Sequence, residues 1–238
     1  MAAPGIPDIN EIIAAIAALG TGAYGLVDAS KAAWGGPSVI GFGRIKNALA
    51  PFNPALDTLG NAPWQTLRAN WLNGVAKADQ KAAAKSLIHL ALSPGNATKL
   101  AAAVGIDAKT LDAVAKKIDK GTDLAKSDID VLGRFDALVS AILDAAYERA
   151  DQQYRNSAKL LACLVAMVLA AFGGYFVQAG IAAKATPPAT LAVCSYMTSK
   201  EFLIALVIGA IATPLAPIAK DLSSSLQAAV KAIGSVKR

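Results

Sequence analysis

Apolar residues gather along this chain in three uncharged runs, separated by longer segments in which apolar positions recur every three or four residues among polar ones. The longest run, LLACLVAMVLAAFGGYFVQAGIAA (residues 160–183), is bounded by Lys159 and Lys184. As a helix it would rise about 36 Å, enough to cross a hydrocarbon core of about 30 Å with some tilt. The run FLIALVIGAIATPLAPIA (202–219), between Glu201 and Lys220, has about the minimum spanning length. Pro214 and Pro217 are expected to kink or unwind its end. The run IIAAIAALGTGAYGLV (12–27), between Glu11 and Asp28, falls short of a comfortable span. It suits a crossing of a thinned bilayer, a re-entrant segment or an interfacial helix. No Lys or Arg precedes it, which argues against a cleaved signal peptide.

The polar segments predict helices of another kind. Trp64, Leu67, Trp71 and Val75 share one face of a helix with Pro63 in its first turn, which could run through Lys77, Lys81 and Lys85 to Leu92. Two short helices follow, NATKLAAAV and DAKTLDAVAKKIDK, separated by Gly105 and Ile106. From Ser127-x-x-Asp130, a capping-box variant, no proline occurs until Pro187, so one helix could run from Asp128 to Ala183, about 84 Å. Its first part carries a stripe of Ile129, Leu132, Phe135, Val139, Ile142 and Ala146 that must pack on the preceding helices or on a partner. Asp136, Asp144, Glu148 and Asp151 take the other faces and read as solvated. The tail, 220–238, places Leu222, Leu226, Val230 and Ile233 on one face of a basic amphipathic helix.

Composition sharpens this picture. Of 238 residues 55% are hydrophobic and 17% charged, and mean hydropathy is +0.44. Soluble domains run nearer 45–50% and about 25%. The fold class is therefore an all-α integral membrane protein with two to three transmembrane helices and a cytoplasmic helical domain. Five regions follow: an N-terminal apolar helix (1–30), a Gly/Pro-rich interfacial linker (31–60), the helical domain (61–157), two transmembrane helices with their external loop (158–219) and the tail (220–238). Arg44 and Lys46 of the linker can reach lipid headgroups.

No basic residue precedes Lys31, whereas Arg44, Lys46, Arg149, Arg155, Lys159 and Lys220 flank the runs on the side of the middle region. By the positive-inside rule the middle region and C-terminus are cytoplasmic, in a bacterial-type inner membrane, and three crossings put the N-terminus outside. Residues 77–126 hold nine Lys against five Asp, which suits a solvated face beside anionic lipid. Cys163 and Cys194 would lie about a membrane apart, so no disulfide is expected.

Motif chemistry is sparse. Gly20-x-Gly22-x-x-Gly25 has dinucleotide-loop spacing, but a helical pattern precedes it and no acid follows Asp28 until Asp57. The better reading is helix packing through Ala14, Ala18 and Gly22, one every fourth residue, with Gly173, Gly174 and Gly209 playing the same part in the later runs. LAAAVGIDAKTLDAV resembles the helix-turn-helix of DNA-binding proteins, with Ala101, Gly105 and Ile106 at the turn and Leu111 and Val114 buried. That resemblance would expose Ala108, Lys109, Asp112, Ala113 and Lys116 to DNA, a set without Arg, Asn or Gln for base edges. An αα-corner with a Gly turn is the favoured reading, and nucleic acid is not an expected partner. His89 is the only histidine, and no metal, cofactor or nucleophile motif occurs, so no catalytic, cofactor-binding or metal residues are assigned. Trp34, Trp64, Trp71, Phe135, Leu226 and Val230 are the expected partner or interface residues. The function expected is a non-catalytic scaffold or accessory subunit of a membrane complex, with other membrane subunits or self, and anionic lipids, as partners. A homo-oligomeric channel or membrane-remodelling protein and a membrane-tethered DNA-binding regulator are the alternatives.

Overall fold

The computed structural model describes residues 9–185 and 190–236, the side chains of 9–11 and 219–236 excepted, and every element among them is helical. The helices are α1 (Ile9–Trp34), α2 (Ser38–Ala48), α3 (Asn53–Leu56), α4 (Ala62–Leu72), α5 (Lys77–Leu90), α6 (Ala97–Val104), α7 (Ala108–Asp119), α8 (Lys126–Ala183), α9 (Val193–Met197) and α10 (Lys200–Val236). Two compact units are present: one formed by residues 1–36 and 156–238, the other by 37–155. The helix α8 is continuous for 58 residues and contributes to both. Among the described residues three helices are long and apolar enough to cross a membrane: α1 over Ile12–Trp34, α8, and α10 over Lys200–Ile218.

The first apolar segment is longer than its uncharged run. Asp28 and Lys31 pair at 2.6 Å, one turn apart, and Ser30 Oγ donates to the Val27 carbonyl. Those contacts let the helix carry two charges and continue to Trp34. Gly35 and Gly36, both at positive φ, then end it before Pro37.

The unit 37–155 has a continuous apolar core. Residues 31–60, expected as a linker, instead form the end of α1, then α2, α3 and two 3-10 turns, and bury Ile45, Leu49, Phe52, Ala55 and Leu56. These positions follow helical spacing, and the prolines at 51 and 54 sit in first turns, where a missing N–H is harmless. The expected helix 61–92 is two helices: α4 stops at Leu72 and the chain turns at Gly74, φ +67°, before α5. Gln80 Nε2 donates back to the Val75 carbonyl in that turn. From α8, Phe135, Val139, Leu143, Tyr147 and Ala150 fill the core, whereas Ile129 is exposed. The buried stripe is thus rotated from the expected one toward Leu143 and Tyr147.

The N-terminus of α8 is capped from inside the helix. The Asp128 carboxylate accepts from the Ala125 N–H at 2.8 Å and from Lys117 Nζ at 2.6 Å, so the helix opens at Lys126 rather than at Asp128.

In the other unit α10 continues through Pro214 and Pro217 to Val236 rather than unwinding. Pro214 lacks the N–H that the Ala210 carbonyl would otherwise accept. The Cys163 thiol of α8 faces that carbonyl instead, Sγ to O 3.9 Å, and supplies a weak donor.

Candidate functional site

The membrane-length helices meet through positions that lack or nearly lack a side chain. A Cβ placed on Gly209 of α10 would stand 2.5 Å from the Met167 Cα and 2.7 Å from the Ala166 carbonyl oxygen of α8. A Cβ on Gly20 of α1 would strike the Ala216 Cβ and come within 2.6 Å of the Ala212 carbonyl oxygen of α10. Gly174 of α8 leaves room for the Tyr196 hydroxyl, which donates to the Ala171 carbonyl at 3.1 Å. Gly209 and Gly174 thus leave no room for a Cβ, whereas nothing lies within 4 Å of the Cβ position at Gly173.

On α1 the contact face differs from the expected one. Ala14, Ala18 and Gly22 are exposed, while Gly20, Ala23 and Val27 are buried. A helix carries both i±4 and i±3 rows, and α1 has small residues on each. The three-residue row Ala17, Gly20, Ala23 meets α10, and the four-residue row is left outward. Gly22 and Gly25 have nothing within 4 Å of a Cβ position.

Outside those contacts the helices present large apolar side chains. Leu160, Leu164, Val168, Phe172 and Phe176 recur every fourth residue along α8, all at least half exposed. Leu203, Ile204, Val207, Ile208 and Ile211 are likewise exposed on α10, by 46–62%. Beside them, α8, α9 and α10 enclose an apolar cavity of about 360 Å³, lined by Phe172, Tyr175, Tyr196 and Phe202 among others. The Tyr175 hydroxyl donates to the Leu191 carbonyl at 3.3 Å, so neither lining tyrosine leaves an unsatisfied hydroxyl.

The aromatic residues expected at a partner surface divide. Trp34 is exposed, at 66%. Trp64 is half-buried against the core of the 37–155 unit, and Phe135 is wholly inside it beside the His89 ring. Trp71 packs on Tyr147 and Tyr154 and donates its indole N–H to the Ser38 carbonyl at 2.7 Å. These three pack within the 37–155 unit. Leu226 and Val230 lie on α10, with side chains outside the described ones.

The charges expected to be solvated are partly exposed and also paired. Lys77, Lys81 and Lys85, one turn apart on α5, meet Glu148, Asp144 and Asp136 of α8 in antiparallel order. His89 Nε2 continues the series, 3.0 Å from Asp136 Oδ1. Half-exposed pairs of this kind are worth about 0.2–1 kcal/mol each, so the ladder sets register more than stability. Lysines four apart on α5, with acids eight and four apart on α8, were its sequence signal. Burial pushes the Tyr147 phenol up to about 12, and its hydroxyl faces the Gln80 carbonyl at 3.4 Å.

The αα pair 97–119 buries Ala101, Leu111 and Val114, with Gly105 left-handed at φ +77° and Asp107 capping α7 through the Thr110 N–H. Of the residues a DNA-binding face would use, Lys116 is tied to Asp112, and the neighbouring Lys117 to Asp128. No known protein family, curated protein or solved structure matches this chain.

Two outcomes follow from these contacts. Gly209→Val must move backbone rather than a side-chain tip, and should destabilise the 1–36/156–238 unit by about 1–3 kcal/mol in a detergent-denaturation titration, whereas Gly22→Val should leave the same titration unchanged. The second concerns pH. Hydrogen bonds from Lys85 and Lys117 hold the Asp136 and Asp128 carboxyls below the usual range. Acids depressed in the folded state add stability that is complete above the unfolded value of about 3.9 and is lost as pH falls through the folded value. The thermal midpoint of the 37–155 unit, followed by tryptophan fluorescence of the full chain, should fall from pH 5 toward pH 2. An Asp128→Asn, Asp136→Asn double variant should start lower at pH 7 and show a shallower fall; parallel curves would show that these carboxylates are not linked to folding.

Proposed function

We propose that this chain is a non-catalytic scaffold or accessory subunit of a membrane protein complex, crossing a bacterial-type inner membrane three times with residues 37–155 and the C-terminus cytoplasmic. The observation that carries this reading is the outward row Ala14, Ala18, Gly22 and Gly25 on α1, a helix whose opposite face is already packed on α10. In lipid, helices associate by close packing rather than by apolar burial, and a row of small residues lets a further helix approach. The apolar side chains standing out along α8 and α10 support the lipid surroundings, since a water-soluble protein seldom exposes so continuous an apolar surface. The excess of Lys and Arg on one side of the runs supports the orientation.

The test is the native mass and subunit composition of the protein extracted in mild detergent from its own membranes. Foreign subunits should co-migrate with the parent chain and be lost from Gly22→Val, whose own fold is intact. A pure homo-oligomer, unchanged by Gly22→Val, would replace this reading with a channel or membrane-shaping assembly.

A further inference from the structure

The helix α2 is amphipathic with its roll fixed from behind. Ser38, Gly41 and Ile45 are buried. A Cβ on Gly41 would stand 2.5 Å from Trp71 Cζ2 and 3.1 Å from the Ala150 carbonyl oxygen, and Trp71 Nε1 holds the Ser38 carbonyl at 2.7 Å. The helix cannot turn its other face inward without breaking those contacts. That other face carries Val39 at 45% and Ile40 at 50% exposure, followed by the exposed cations Arg44 and Lys46.

The charge on this face is uncompensated. Neither Arg44 nor Lys46 forms an ion pair among the described residues, and no acid occurs between Asp28 and Asp57. The lysines of α5, by contrast, are each matched by an acid of α8. Chain connectivity then places this face. Only residues 35–37 separate the end of α1 from Ser38, so the first residue of α2 lies within about 14 Å of Trp34 whatever the arrangement of the rest.

We propose that the Val39, Ile40, Arg44 and Lys46 face of α2 docks on the surface of an anionic lipid leaflet. The two apolar side chains enter the headgroup boundary and the two cations meet acidic headgroups, the pairing that holds amphipathic helices at interfaces. Because Trp71 and Gly41 fix α2 to its own unit, the contact also fixes which side of residues 37–155 faces the lipid. The proposal rests on α1 crossing the bilayer, and its test separates the two.

The experiment uses the full chain with Cys163→Ser and Cys194→Ser, carrying one nitroxide at Leu26→Cys, Ile40→Cys or Asp123→Cys. Each is placed in vesicles of phosphatidylcholine with phosphatidylglycerol, and collisions with oxygen and with a nickel chelate are compared by electron paramagnetic resonance. The expected result is an oxygen-to-nickel ratio at residue 40 several-fold above that at residue 123. It should drop toward the residue 123 value in Arg44→Glu, Lys46→Glu and in vesicles of phosphatidylcholine alone. A lipid-buried label at residue 26 with residue 40 as nickel-accessible as residue 123 overturns the docking and leaves the crossing standing. A nickel-accessible label at residue 26 overturns the crossing, and the docking with it.

Discussion

Backbone must come close to backbone in the unit built from α1, α8 and α10. Gly209 admits α8 and Gly20 admits α10, so α10 is held from two sides where a single added methyl would collide. In water such a bundle would be driven together by its large apolar residues, but here those residues point outward along α8 and α10. In lipid they gain nothing by burial, and contact area between backbones becomes the main attraction. The same close approach bears on the internal proline at 214. The carbonyl freed by Pro214 faces the Cys163 thiol only because α8 lies so near.

The 37–155 unit obeys the opposite rule. Most of its apolar residues turn inward, its charges are arranged in a ladder between α5 and α8, and its exposed apolar pair on α2 sits ahead of two unmatched cations. One continuous helix, α8, serves both regimes: Phe135 and Tyr147 are buried in the first part, and Phe172 and Phe176 are exposed in the second. Its composition changes with its surroundings, from acids spaced for the lysines of α5 to a run without charge.

Much of this was legible in the sequence. The uninterrupted course of α8 followed from the absence of proline, and the burial of Leu111 and Val114 from the helix-turn-helix resemblance. What escaped was phase and pairing. Ala14, Ala18 and Gly22 form as good a small-residue row as Ala17, Gly20 and Ala23, and only the partner helix decides between them. The acids of α8 and lysines of α5 are separated by 51 to 71 residues, so local spacing could show each series without joining them. Residues 38–59 looked like a linker because Gly and Pro are frequent there, yet Gly41 and Gly43 lie within α2 and the prolines in first turns, so Ile45, Leu49 and Phe52 reach the core.

The central claim is that α8 and α10 carry the chain across a bilayer and back. Cys194 is exposed beside α9, between those helices, and Ser86 is exposed on α5 in the other unit. A membrane-impermeant maleimide applied to intact cells should modify Cys194 and should reach Ser86→Cys, in a Cys194→Ser background, only after the membrane is opened. Modification of both residues from the same side would contradict the crossing.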